Sequence, residues 1–590
     1  MATRLRITKH VLVIGSAAFV CACPAFAQTA SQITPQTFAP PVQSGSVGGV
    51  AIGESPGLRA PAGAEKLFVT LSDVRVDDGG LPALAGEEDG LRKKFKGARI
   101  SGAAIFAAAQ ELEAAYAKAG YVLARVTLPP QELVNGAVLR LVVVDGFIER
   151  IVTKGVSNRV RQRVADLLGP LTGVHGLKLT ELERRILLAG DTPGVALRTT
   201  LTPGSTIGAT VLVVDAKYQP VVGTLTADNS LPAGLARYQI GVGADFNGAL
   251  GFGELIYLRA TGDPEAGTDG FFSDKPRNRI LAAGFIAPLG IDGLTFNVEG
   301  TQARTTPVAV DGVQSTDQFQ RLSLRLRYPW TRSRDFNSAT QLIFDAQDER
   351  RSLLIAPTTL PVSEDRLRVL RIANEADCLA SWGGAFSAAL TASFGLDALG
   401  ARTAAEASPL LPLSRQGADA TFSKLDGALS YSQGLAEHLT ANVTVRAQTS
   451  FGSPLEQSEQ IGLAGPGALS AFDAGAVEGD SGMVARGELV APFTLPTGVL
   501  PAVFSQAMTG VGIVASPYAF AAIGEVFLEQ PTALEEPHVR AASFGLGLRL
   551  NGGLTESLNN GSVTLEFARQ ARSDGAPSDN RFILVATIKF

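Results

Sequence analysis

The residues whose types and spacing most suggest chemistry lie at Gly479 to Met483, the run GDSGM. In chymotrypsin-like proteases a Gly-Asp-Ser-Gly segment carries the nucleophile, and a histidine within reach must take the serine proton. The four histidines here are His10, His175, His438 and His538, none in an Ala-Ala-His-Cys context, and Met483 replaces the last glycine of the motif. A hydrolase is therefore an alternative that rests on one short match. No two histidines stand at i, i+4, and Cys378 is the single cysteine after the first 27 residues. No metal site, internal disulfide or cofactor is expected from these residues. Gly241-Val242-Gly243 lacks the third glycine of a phosphate-binding loop. Arg321, Arg325 and Arg327 alternate along one strand face, either as a cationic stripe or as charges paired with carboxylates such as Glu299.

The elements around GDSGM explain more than the motif does. From Ser481 to Leu489, Met483, Ala485, Gly487 and Leu489 alternate with Val484, Arg486 and Glu488, the period of a strand with two unlike faces. Ahead of it, Ile461 to Gly479 is Gly-rich and aperiodic, which predicts a long loop. Strands of the same kind fill the chain from residue 219 to 590. Leu439, Ala441, Val443, Val445 and Ala447 share one face, opposite Thr440, Asn442, Thr444, Arg446 and Gln448. Leu322, Leu324, Leu326 and Tyr328 alternate with Arg321, Ser323, Arg325 and Arg327. Such alternation suits either a soluble sandwich or a barrel with lipid outside and a wet lumen. Candidate strands start near Val221, Ala236, Phe252, Asn278, Gly293, Phe319, Asn337, Arg366, Gly384, Asp419, His438, Asp480, Gly510, Pro537, Gly561 and Arg581. That count is about sixteen, an even number of the kind bacterial barrels use. The final strand, RFILVATIKF, sets Phe582, Leu584, Ala586, Ile588 and Phe590 on one face.

The N-terminal part has a different character. Residues 1–27 read as a secretory signal: Arg4, Arg6 and Lys9, an apolar run from Val11 to Val20, then Ala25-Phe26-Ala27. Residues 28–65 are rich in Pro, Gly, Ser and Ala and predict a flexible linker. Residues 66–152 alternate strand and helix periods, with a helix from Ile105 to Ala119, a C-cap at Gly120 and an Asp145-Gly146 hairpin turn. Residues 153–218 form a second α/β unit with a helix from Leu177 to Leu188. Lys plus Arg number 51 against 56 Asp plus Glu in 590 residues, a net charge of −5, which argues against a nucleic-acid partner. No stretch has the ~20 consecutive apolar residues of a spanning helix, so a membrane form of the mature chain must be a barrel.

The run from Gly120 to Gly155 resembles the first polypeptide-transport-associated (POTRA) domain of two-partner secretion transporters, the ShlB/FhaC/HecB haemolysin secretion and activation family. Gly120, Tyr121, Pro129, Gln131, Gly136, Asp145 and Gly146 fall where that family's motif has them. Residues 169–214 resemble its second such domain, and Asp228-Asn229 with the glycine-rich turn resembles the start of its barrel. The resemblance implies α/β periplasmic POTRA domains followed by a 16-stranded antiparallel barrel in the outer-membrane lipid. It implies an exoprotein client of β-helical type, captured unfolded by β-augmentation, and insertion by the barrel-assembly machinery through the signal ending in Phe590. A barrel-assembly factor of the same superfamily and a passive porin are the alternatives. The sixth extracellular loop of such transporters folds into the lumen. Its arginine-bearing tip matches Leu469-Ser470-Ala471-Phe472 here, and the strand motif whose Asp pairs with that arginine matches Phe520-Ala521-Ala522-Ile523-Gly524. Arginine and aspartate are both absent, and Ser470 and Ala522 are expected to face each other. Asp480, Gly482 and Glu488 accompany the loop. Some members carry an N-terminal plug helix, but residues 28–65 show no helical period.

Overall fold

The computed structural model describes residues 29–41, 50–51, 60–265, 267–309, 312–355, 358–495, 511–554, 559–575 and 578–590. The expected signal, residues 1–27, lies outside them. In chain order, the N-terminal part comprises β1 (Val50–Ala51), β2 (Phe68–Thr70), β3 (Asp73–Asp77), α1 (Ala85–Phe95), β4 (Arg99–Ser101), α2 (Gly102–Lys118), β5 (Arg125–Thr127) and β6 (Val138–Val144). A second unit follows: β7 (Phe147–Lys154), α3 (Asn158–Leu168), α4 (Leu179–Gly190), β8 (Val195–Pro203) and β9 (Ala209–Tyr218).

In the first unit, α2 buries Ile105, Ala108, Ala109, Leu112 and Tyr116 against Val126, Leu139, Leu141 and Val143. Ser101 caps the helix by accepting from the Ala104 N–H at 3.2 Å. In the second, α3 and α4 bury Val160, Val164, Leu167, Leu182 and Ile186 on Leu197, Leu212 and Val214. The expected hairpin at Asp145-Gly146 does not form. β6 pairs with β3 and β5, whereas β7 pairs in parallel with β9, so this turn joins two sheets and the units divide at Gly146 rather than after Val152. Local sequence reads as a hairpin because both strands and the turn are suitable; the competing partner, β9, lies some sixty residues away.

The barrel begins with β10 (Val221–Asp228), β11 (Gln239–Asn247), β12 (Leu255–Gly262), β13 (Asn278–Leu289), β14 (Leu294–Thr305) and β15 (Gln314–Arg332). It continues with β16 (Phe336–Ile355), β17 (Thr358–Leu379), β18 (Ala385–Gly395), β19 (Ser423–Ala436) and β20 (Leu439–Thr449). After the two short loop strands β21 (Ile461–Gly462) and β22 (Glu478–Gly479) come β23 (Ser481–Val490), β24 (Phe493–Leu495), β25 (Val511–Phe527), β26 (His538–Leu554), β27 (Asn560–Arg572) and β28 (Asn580–Lys589). β23 and β24 both pair with β25 and form one interrupted stave, so the closed antiparallel barrel has sixteen staves. β17 starts at Thr358, ahead of the expected Arg366, because Pro361 sits at a register shift opposite Ser352. The ring closes between β10 and β28. There Asn229 donates to the Phe582 carbonyl and accepts from the Leu584 N–H, each at 2.9 Å. Phe590 and Gly223 exchange backbone hydrogen bonds at 3.0 and 2.7 Å. The Phe590 ring fills the space of a Gly223 side chain: a Cβ there would lie 2.5 Å from it.

Residues 29–41 are not a free linker. The Ala30 and Ser31 N–H groups donate to Asp317 and Glu349 at 3.1 and 3.0 Å, and the Phe38 N–H donates to Glu299 at 2.8 Å. Arg321 donates to the Pro35 carbonyl and Arg325 to the Gln36 carbonyl, each at 2.7 Å. Ala30 is fully buried with Ile280, Ala303 and Phe319 of the wall. The segment is non-helical and lies inside the barrel. Its own sequence gave no sign of this, because the groups that fix it are wall carboxylates and guanidinium groups far along the chain. The same contacts settle the arginines. Arg321 and Arg325 both lie 3.5 Å from Glu299, and Arg327 lies 3.5 Å from Glu375, so all three are paired.

The second unit is docked on one rim of the barrel through α4. Arg332 makes two bonds to Asp191, at 2.7 and 2.9 Å, and Arg184 donates to the carbonyls of Asp292, Pro329 and Trp330. Arg334 lies 3.2 Å from Glu183, whose carboxyl burial nevertheless holds above the usual range.

Candidate functional site

The loop between β20 and β23, residues 450–480, turns back into the lumen. Asp480 fixes its base. This fully buried carboxylate accepts from Arg415 at 3.2 Å, the Leu455 N–H and Gln460 side chain at 3.0 Å, and the Glu529 N–H at 2.7 Å. Ser481 bonds to Ser450 at 3.0 and 3.3 Å, so in GDSG the Asp and Ser hold the loop base. Gly479 and Gly482 have no room for a side chain: a Cβ would meet Val526 at 2.8 Å or the Glu525 carbonyl at 2.7 Å. Glu459 ties the loop to another part of the wall. It is 1% exposed, 2.6 Å from Arg371 and 2.8 Å from Lys424, and accepts from Gln347 at 3.0 Å. A buried carboxylate is stable in such a place only when paired and hydrogen-bonded.

The tip is apolar at its ends and polar at its centre. Ile461, Leu463, Leu469 and Phe472 are at most 2% exposed and pack with Val484, Tyr518, Phe520, Ala522 and Val526 of the wall. Full burial of each Leu or Phe is worth roughly 1.5–3 kcal/mol. Leu463 packs on Gly524, where a Cβ would approach it to 2.9 Å. The Ala471 N–H donates to Ser543 at 3.0 Å, and Arg572 lies over the Phe472 ring at 5.7 Å. Ser470 hydrogen-bonds to Glu566 and accepts from Arg486 at 3.1 Å.

Arg486 and Glu566 are the residues that reading the sequence missed. Arg486 on β23 lies 2.7 Å from Glu566 on β27, donates to the Ala468 carbonyl at 3.2 Å and stacks 3.8 Å over the Phe520 ring. Tyr518 donates to Glu566 at 2.8 Å. Glu488 extends the network, 2.8 Å from Arg486 and 2.7 Å from Arg549. Ala522 is the cross-strand neighbour of Arg486. Arg486 therefore links Ser470 to Ala522, and the structure records no direct bond between them. The signal for Arg486 was its place beside Val484 and Glu488 on the face opposite Met483, Ala485, Gly487 and Leu489; Glu566 shares no local pattern with it.

The POTRA residues also have physical roles. The Gln131 side-chain amide bonds both backbone groups of Arg140, at 2.8 and 2.9 Å, and takes the place of a strand beyond β5. Gly120 and Gly136 adopt φ of 97° and 90°, conformations that favour glycine. The Gly120 carbonyl accepts from Leu179 of the second unit at 2.8 Å, and the Tyr121 ring faces Lys178 at 5.9 Å. Asp145 accepts from the Gly176 N–H at 2.9 Å, and a Gly146 Cβ would meet the Leu123 carbonyl at 2.0 Å. Gly120, Asp145 and Gly146 thus build the junction between the units. Pro129 follows β5, where it stops the strand.

The profile described as "Haemolysin secretion/activation protein ShlB/FhaC/HecB" matches residues 208–550, and "POTRA domain, ShlB-type" matches residues 69–146. The chain belongs to this family. It is an outer-membrane β-barrel with its POTRA units in the periplasm. A heme/hemopexin transporter protein, HuxB of Haemophilus influenzae, is 23% identical over 274 residues, 45% of this chain and 46% of the relative. The match thus spans about half the length of that relative. Among solved structures, CdiB from Escherichia coli aligns over 90% of this chain and 92% of its own, with a TM-score of 0.64 and 20% identity. CdiB from Acinetobacter baumannii aligns over 89% and 90%, with a TM-score of 0.56 and 14% identity. These two similarities concern the fold.

Proposed function

We propose that this protein captures an unfolded exoprotein in the periplasm and passes it through its barrel to the cell surface. Its barrel, by this reading, is delivered to the outer membrane by the barrel-assembly machinery, with Phe590 as the recognised terminus. The client is a TpsA-like, β-helical protein that gains its energy of export by folding outside. The observation that carries the reading is the joining of two features in one family member. Periplasmic sheets with strand edges stand on the rim of a barrel whose lumen takes up the loop tip and residues 29–41. β21 and β22 of the loop pair with each other, and wall carboxylates and guanidinium groups hold residues 29–41. Ser470, Arg486 and Glu566 seat the loop in place of a loop-borne arginine.

The test is co-expression with a candidate secreted exoprotein of β-helical type. Intact protein should release it to the medium, and a variant lacking residues 66–146 should insert its barrel but release none. Continued release by the truncated form would remove the capture role.

A further inference from the structure

One stretch of the outer wall, on β13 to β17, carries charge above an apolar band. On β14 the lumen residues Glu299, Thr301 and Ala303 alternate with Gly300, Gln302 and Arg304, which therefore face outwards. Strand register aligns the outward residues in rows. Arg279, Arg304, Gln318, Arg350 and Glu364 form one row, near the mouth opposite the rim on which α4 docks. Leu281, Gln302, Gln320, Asp348 and Arg366 form the next. In the third, Ala283, Gly300, Leu322 and Ala346 lead to Arg368. From Leu322 the outward face of β15 stays apolar through Leu324 and Leu326 to Tyr328 and Trp330. That run is roughly 26 Å along the strand and ~20 Å in height once tilted, close to the ~25 Å apolar band of a membrane barrel with its aromatic girdle. The POTRA units lie in the periplasm, so the arginine rows stand at the headgroup level of the outer leaflet.

Within these rows the cations outnumber the carboxylates. Arg350 and Arg366 lie 2.6 and 3.6 Å from Glu364, and Arg368 lies 3.1 Å from Asp348. Arg279 and Arg304 are direct cross-strand neighbours, a placement of like charges that costs stability. Among the described residues neither has a carboxylate in ion-pair contact. They donate instead to loop carbonyls, Arg279 to Phe271 and Ser273 at 3.1 and 3.2 Å and Arg304 to Asp274 at 2.8 Å. The Arg304 Nε is buried and has no partner among the described residues. Next to this pair, small side chains leave an open hollow of about 890 Å³ in the outer wall. Leu258, Leu281, Ala283, Gly300, Leu322 and Ala346 line it. A Cβ on Gly300 would meet nothing within 4 Å. We propose that this face binds the phosphorylated glycolipid of the outer leaflet, lipopolysaccharide, with a phosphate on Arg279 and Arg304 and an acyl chain in the hollow. Guanidinium groups present paired N–H donors that match phosphate oxygens, and the anion removes the repulsion between the two cations. Both arginines also hold Phe271, Ser273 and Asp274, so the lipid braces that loop at the mouth of the barrel.

The experiment uses the full chain, purified in mild detergent, and native mass spectrometry with added lipid A, the phosphorylated and acylated part of that glycolipid. Intact protein should retain it. Arg279→Gln with Arg304→Gln should weaken the affinity about tenfold, and lipid A stripped of its phosphates should bind intact protein as weakly. Gly300→Leu fills the hollow with a side chain suited to a lipid-facing wall. It should lower retention with both arginines in place, and it decides the matter if the double variant does not fold. Heat-modifiable mobility shows which variants are folded. Undiminished retention by either folded variant, or equal binding of the dephosphorylated lipid, would overturn the site. Equal retention of phosphatidylglycerol would reduce it to general attraction for anionic lipid, and equal binding of inorganic phosphate to a bare anion site; either result overturns the proposal.

Discussion

Arg486 and Glu566, eighty residues apart in sequence, meet at 2.7 Å inside the barrel, with the Ser470 hydroxyl bonded to both. The ion pair spans two wall strands, and the loop brings only a neutral hydroxyl to it. Their side chains are 2% and 4% exposed, so each charge depends on the other.

Arg486→Ala should leave the Glu566 carboxylate buried without its cation, a loss of about 3–5 kcal/mol. Arg486→Ala with Glu566→Ala should recover much of it, and a double-mutant cycle should show favourable coupling. The measurements are thermal unfolding of the purified barrel and protease access to residues 450–480. Additive losses would mean that the pair does not hold the loop.

Ser470→Arg should set a second guanidinium beside Arg486 and destabilise the loop. Combined with Arg486→Ala, the same change returns the cation to the loop, within reach of Glu566. The double variant should resist protease better than either single variant. No recovery would place the loop tip elsewhere.

Gly146→Ala forces a Cβ to 2.0 Å from the Leu123 carbonyl. The junction of the POTRA units must then shift, at a cost of about 1–3 kcal/mol. Secretion should fall while heat-modifiable mobility of the barrel stays normal. Normal secretion would show that the junction need not be rigid.

Removal of Phe590 deletes two backbone bonds to Gly223 and the ring that covers it, at the seam that closes the barrel. Outer-membrane amounts should drop, with periplasmic degradation products. Gly223→Ala should act in the same direction through its clash with the ring. Unchanged membrane levels for both variants would count against this role.

Deletion of residues 29–41 should remove peptide from the lumen and expose Glu299, Asp317 and Glu349 to water. Single-channel conductance in planar bilayers should rise. An unchanged conductance would mean that other segments close the path.

The sequence by itself determined the barrel and the two α/β units. Period-two alternation is a local property, so strand starts such as Asn278 and Val221 fell on the observed residues. It also placed Leu469 and Phe472 on a loop bound for the lumen, through resemblance to a family whose loop does the same. Tertiary structure decided what no local pattern encodes. It moved β7 into another sheet, because β9 outcompeted the hairpin partner. It turned residues 29–41 from a linker into lumen filling, because Glu299, Asp317 and Glu349 satisfy their backbone. It supplied the cation that Ser470 lacks from Arg486 on the wall, because inside a closed barrel charges on distant strands can meet across the lumen, and a buried charge is stable beside any opposite charge the fold brings within reach.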